Sequence, residues 1–167
     1  DASSMEFTNS YEPTPGTVGP NGSAQIAGTK ELAGRALNAG EFTFELLQGD
    51  EVIDQATNNA DGSFAFGKDL TFEAEGTYVY AVREAAGTLG GVTYDDALYA
   101  VVITVVEDAD AHALVPTVAY QLDGEDATGM TFSNTYEAAP AYAQLGVAKM
   151  LENADLVDGQ FSFELAA

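Results

Sequence analysis

The sequence predicts an all-β fold built as an antiparallel sandwich, and three observations lead there. Stretches rich in β-branched and aromatic residues alternate with period two. Clusters of Gly, Asp and Asn punctuate them. Two segments recur at an interval close to the length of one sandwich domain. Short strands joined by tight turns are the pattern of an Ig-like sandwich.

In chain order, a first strand carries Lys30, the lone cation after the nearly uncharged segment 24–29. The Ala-rich stretch 31–39, bracketed by Gly34 and Gly40, reads as a loop. Strands are then expected over 42–46, 63–66, 77–82, 98–106, 115–122 and 130–136. Turn signals separate them at Gly49-Asp50, Asn59-Ala60-Asp61-Gly62, Glu75-Gly76, Gly87 to Gly91, Asp108-Ala109-Asp110 and Asp123-Gly124.

The repeats define the organisation. Met5 to Glu12 returns as Met130 to Glu137 with five of eight positions identical, and 24–46 returns as 143–165 with ten of 23 identical. The offsets of 125 and 119 residues are nearly equal, which points to tandem beads. On this reading residues 1–12 are the last strand of a preceding repeat and 13–22 a linker. Residues 23–137 are one complete sandwich, 138–142 a second linker, and 143–167 the first strands of the next repeat.

Composition removes several classes of function. The 167 residues hold 5 Lys+Arg against 27 Asp+Glu, a net charge of −22, so nucleic-acid and anionic-membrane partners lack the basic patch they require. With no Cys and only His112, disulfides, thiolate chemistry and the usual zinc sites are absent, and no cofactor or metal is expected. The acidic turns at 58–62 and 107–110 follow no EF-hand spacing and read as turn chemistry, as does His112 beside Asp110. A chain that is 46% hydrophobic should fold despite its charge. The longest apolar run, 97–106, is too short to span a bilayer, and the opening Asp1-Ala2-Ser3-Ser4 is expected of a piece excised from a longer chain.

Three polar side chains stand out against the alternation. On the last strand, period two puts Phe132, Asn134 and Tyr136 on one face. Another strand puts Tyr78, Tyr80, Val82 and Glu84 on one face, so a carboxylic acid ends an apolar row. Singly, Lys30 reads as a snorkelling lysine, Asn134 as a side chain bonded to backbone, and Glu84 as one more solvated acid. Buried together in one core they are costly unless something joins or neutralises them.

In order along the chain stand Lys30-x-Leu32-x-Gly34-Arg35-x-Leu37, Gly40-Glu41-Phe42-x-Phe44-x-Leu46 and Asp61-Gly62-x-Phe64-x-Phe66. They are followed by Gly76-Thr77-Tyr78-x-Tyr80-x-Val82-x-Glu84, Gly91-Val92-Thr93-Tyr94-Asp95 and Phe132-x-Asn134-Thr135-Tyr136. This set resembles the streptococcal-type pilin isopeptide-linkage domain of Gram-positive surface proteins. The resemblance covers 23–137 and both partial repeats.

It implies an autocatalytic amide bond formed once on folding, with Lys30 as nucleophile, Asn134 as acceptor and Glu84 as catalytic acid bonded to the amide oxygen. Burial would lower the lysine pKa and expose its lone pair, and folding would supply the orientation. Asn9 and Lys149 occupy the equivalent positions of the incomplete repeats and are expected to stay unbonded. The implied role is a structural module of a cell-wall-associated pilus or fibrous adhesin on the bacterial surface. Its partners would be neighbouring repeats or pilin subunits of the same fibre, and it would not be a turnover enzyme. The competing reading is an adhesin domain that binds a host protein or glycan through its loops.

Overall fold

A computed structural model describes residues 7–166, and within them the chain is all-β. The strands in order are β1 (Gly16–Val18), β2 (Ala27–Ala33), β3 (Thr43–Gln48), β4 (Glu51–Thr57), β5 (Ser63–Ala65), β6 (Leu70–Phe72), β7 (Gly76–Glu84), β8 (Val92–Thr93), β9 (Leu98–Asp108), β10 (Ala113–Leu122), β11 (Glu125–Ala127) and β12 (Met130–Tyr136). Among the described residues no helix is long and apolar enough to cross a membrane.

Two sheets form the sandwich. The larger has the order β11-β10-β9-β7-β3-β4, with every neighbouring pair antiparallel. The smaller has the order β5-β2-β12-β8. Alternation decides which side chains meet between them: Phe44, Leu46, Val82, Val101 and Ile103 from the first, Phe64, Met130 and Phe132 from the second, all buried. Each such side chain contributes about 1.5–3 kcal/mol by leaving water. Phe44 seals the seam, stacked on Phe64 at 3.7 Å between ring centres and tilted against Phe132 at 5.2 Å.

Strands β4, β6, β8 and β11 are additional to those expected, and the structure departs from the sequence reading in four further places. First, the sandwich is not wholly antiparallel, because β2 and β12 pair in parallel, Lys30 opposite Phe132 and Leu32 opposite Asn134. Parallel neighbours need a long crossover, and here nearly the whole bead supplies it. Second, 31–33 belongs to β2 rather than to a loop, since pairing with β12 outweighs the weak β-propensity of Ala and Glu. The strand ends at Gly34, whose φ of +94° and position, with an added Cβ only 2.0 Å from the Tyr136 carbonyl oxygen, admit no side chain.

Third, the expected linker 13–22 contains β1, which pairs with β6 and buries Val18 completely. The apolar side chain and the available ladder outweigh the surrounding Pro and Gly. Fourth, the flanking repeats expected as strands are strandless over 7–12 and 143–166, and their Phe7, Met150 and Phe163 are exposed. Met5 and Glu6 of the first repeat lie outside the described residues. A strand needs a neighbour for its N–H and C=O groups, and these segments pair with none of the strands of this bead.

Candidate functional site

Lys30, Glu84 and Asn134 meet at the seam between the sheets. Lys30 and Asn134 come from the adjacent parallel strands β2 and β12, one diagonal step apart, and Glu84 from the end of β7 in the facing sheet. All three are buried, at 3%, 6% and 1% exposure. Period two explains this, since Glu84 follows Tyr80 and Val82 inward, and Asn134 follows Met130 and Phe132.

Neighbouring backbone and ring groups hold Lys30 and Glu84 in place. The Lys30 N–H donates to the Gly62 carbonyl at 2.7 Å, and the Gly62 turn is set by Asp61, which accepts from the Ser63 N–H and hydroxyl. Glu84 sits opposite Phe44 in the β3–β7 ladder. Phe42, just before β3, presents its ring 4.7 Å from Lys30 Nζ. Its N–H is held by buried Asn58, which also donates to the carbonyls of Asn38 and Asn59. Asn58 was legible only as part of an acidic turn, although it works as a buried bracket.

The Glu84 carboxyl bridges the other two groups. Lys30 Nζ donates to Oε2 at 2.8 Å, and Asn134 Nδ2 donates to Oε1 at 2.8 Å. Burial pushes the Lys30 ammonium below its ordinary pKa, against the opposing pull of Glu84 and, more weakly, Asp95. A buried ion pair is costly in itself, which makes removal of its charges favourable.

One expected contact is different. The sequence reading puts Glu84 on the amide oxygen of Asn134, whereas the structure puts it on the nitrogen. The oxygen, Oδ1, instead accepts from the main-chain N–H of Asp95 at 2.7 Å. A main-chain N–H can only donate, so it takes the oxygen and leaves the NH2 to the carboxyl. Asp95 belongs to the Gly91-Val92-Thr93-Tyr94-Asp95 motif, but nothing in its spacing showed this contact. Beside the site lies a cavity of about 440 Å³ lined in part by Glu84, Tyr94, Asp95 and Leu98.

The remaining candidates lie elsewhere. Asn9 and Lys149 are exposed, on strandless segments, and Lys149 Nζ lies 4.8 Å from the centre of the Phe161 ring. The acidic stretch at 107–110 is held as a turn by Asp108, which accepts from the N–H groups of Asp110 and Ala111. His112 takes a left-handed φ of +52° in the same turn, where its Nδ1 is 3.1 Å from the Tyr11 hydroxyl.

A solved pilin structure agrees with this architecture. The chain is similar to the major pilin protein (T-13) of Streptococcus pyogenes, at 19% identity and a TM-score of 0.51, covering 73% of this chain and 54% of that one. It is also similar to the major pilin from Streptococcus pyogenes, at 18% identity and a TM-score of 0.44, covering 77% of this chain and 51% of that one. The chain thus spans about half the length of the pilins it matches. No curated protein matches. The family model FctA, described as a Spy0128-like isopeptide containing domain, matches residues 26–137, the stretch that holds Lys30, Glu84 and Asn134. The chain therefore belongs to the FctA family of Spy0128-like isopeptide containing domains.

Proposed function

We propose that this bead is a structural module of a pilus or fibrous adhesin on a Gram-positive cell surface, stapled by an amide bond between Lys30 and Asn134. The observation that carries this reading is the Glu84 carboxyl, buried between the sheets, with Lys30 Nζ on one oxygen and Asn134 Nδ2 on the other, both at 2.8 Å.

The chemistry follows from those contacts. Glu84 takes a proton from the Lys30 ammonium, which burial already disfavours, and frees the amine lone pair. The amine attacks Asn134 Cγ, and the carbonyl electron pair moves onto Oδ1. As the C–Nδ2 bond breaks, Glu84 returns its proton to Nδ2, then takes one from the attacking nitrogen. Of the five protons on the two nitrogens at the start, the new amide keeps one, ammonia leaves with three, and the last rests on Glu84. The cavity beside Glu84 gives ammonia a way out. The fold supplies proximity and orientation, which can lower such a barrier by about 7–11 kcal/mol. The reaction consumes its own residues and does not turn over.

The mechanical consequence follows from the parallel pairing of β2 and β12. Tension entering at the two ends of the bead passes through the amide rather than through the sheets. Neighbouring repeats or subunits of one fibre are the partners that such a module serves. Digestion of the wild-type chain and fragmentation of the products tests the bond: a branched peptide joining Lys30 to Asn134 is expected, and separate unmodified peptides would refute it.

A further inference from the structure

We propose that Asp95 is a positioning residue for the amide-forming step: its carboxylate clips the loop to β12 and so aims its own main-chain N–H at Asn134 Oδ1. This rests on the crosslinking reading and adds to it the donor that stabilises the negative charge developing on Asn134 Oδ1.

The register shows how the clip arises. β8 and β12 pair with Thr93 opposite Thr135, and the Glu137 N–H donates to the Gly91 carbonyl at 2.8 Å. Continued by two residues, this antiparallel ladder would set Asp95 opposite Ser133, with the two main chains exchanging hydrogen bonds. The exchange is replaced. Asp95 Oδ2 accepts from the Ser133 N–H at 2.6 Å, where a backbone carbonyl would have stood. Asp95 Oδ1 accepts from the Ala97 N–H at 2.9 Å and turns the chain toward β9. The Asp95 N–H, released from the ladder, donates to Asn134 Oδ1 at 2.7 Å. A side chain has substituted for the backbone so that a backbone donor can serve the reacting amide.

The loop is braced for this. Tyr94 packs edge-on against Phe42 at 5.8 Å, and its hydroxyl accepts from the Leu89 N–H at 3.1 Å. Phe42 is the same ring that faces Lys30 Nζ. When Lys30 attacks, charge gathers on Oδ1, and a donor already in place stabilises it without reorganisation. Glu84 is occupied on the nitrogen side, so the two sides of the amide have separate attendants: Asp95 N–H for the oxygen, Glu84 for the nitrogens.

The test is a time course of ammonia loss by the full chain, made by pulsed cell-free synthesis and quenched in acid before mass measurement. Asp95→Ala, Asp95→Asn and a backbone ester at residue 95, which removes the N–H and keeps the carboxylate, are compared with wild type, each with its melting curve. The ester and Asp95→Ala should both slow the loss by about 100-fold or more, the usual effect of removing one oxyanion donor. Asp95→Asn, which keeps one acceptor oxygen, should fall between. An acid acting only through its charge predicts the opposite sign, because removing it leaves the Lys30 ammonium still less favoured and speeds the reaction. A folded ester variant that crosslinks at the wild-type rate would overturn the proposal, even with Asp95→Ala slow. Wild type that never loses ammonia would overturn the crosslinking reading itself, and this inference with it.

Discussion

Lys30 Nζ and Glu84 Oε2 stand 2.8 Å apart with both side chains wholly withdrawn from solvent. In such a place one charge cannot be removed without stranding the other. Glu84→Ala should therefore be less stable than Asn134→Ala by about 3–5 kcal/mol, measured by chemical denaturation. Both variants lack the crosslink, so the difference reports the stranded ammonium and not the lost staple. Equal stabilities would show that the ion pair is not what holds this part of the seam.

The pH dependence of the uncrosslinked bead follows from the lysine. Burial lowers the Lys30 pKa in the folded chain from its ordinary 10.5. Below the lowered value both folded and unfolded chains carry the proton, and the cost of burying the charge is present in full. Between that value and 10.5 the folded chain has released the proton and the unfolded chain has not, so stability climbs with pH. Asn134→Ala should show this rise, and Asn134→Ala combined with Lys30→Met should lose it. The comparison isolates Lys30, because every other titratable group is common to the two chains. A rise of equal size in both would assign it to other groups.

Much of the site was legible in the sequence, for a physical reason. Period two sends Glu84 and Asn134 inward with their aromatic neighbours, so their faces followed from the strands alone. The ordered motifs then joined them to Lys30. What stayed hidden depends on pairing. β4 lies at a sheet edge and carries one buried residue, Ala56, among exposed and half-buried ones, and β1 is three residues among Pro and Gly. The parallel pairing of β2 and β12 and the substitution of the Asp95 side chain for a ladder bond are properties of register. Register is set by contacts far apart in sequence, so no local pattern reports it.

Gly62 should prove to be a control point for Lys30. Its φ is +88°, and an added Cβ would lie 2.4 Å from the Lys30 carbonyl oxygen, which is backbone and cannot swing aside. Gly49 has a similar φ of +61° but open space around it. Gly49→Ala should cost about 1 kcal/mol from backbone strain alone, and Gly62→Ala clearly more, with incomplete crosslinking in addition. Thermal melts and intact masses of the two variants make the comparison. Full crosslinking in Gly62→Ala would mean that the turn does not position the nucleophile.

Under force the bead should not lengthen between Lys30 and Asn134. The segment from Lys30 to Asn134 holds about 104 residues, roughly 350 Å of extended chain. Single-molecule pulling through the termini should release that length in Asn134→Ala and withhold it in wild type. Release in both would remove the mechanical role.

The most direct measurement is the intact mass of the full chain beside Glu84→Ala and Asn134→Ala. A Lys30–Asn134 amide makes the wild-type chain lighter than its calculated mass by one ammonia and leaves both variants at their calculated masses. A wild-type chain at its full calculated mass would rule the amide out.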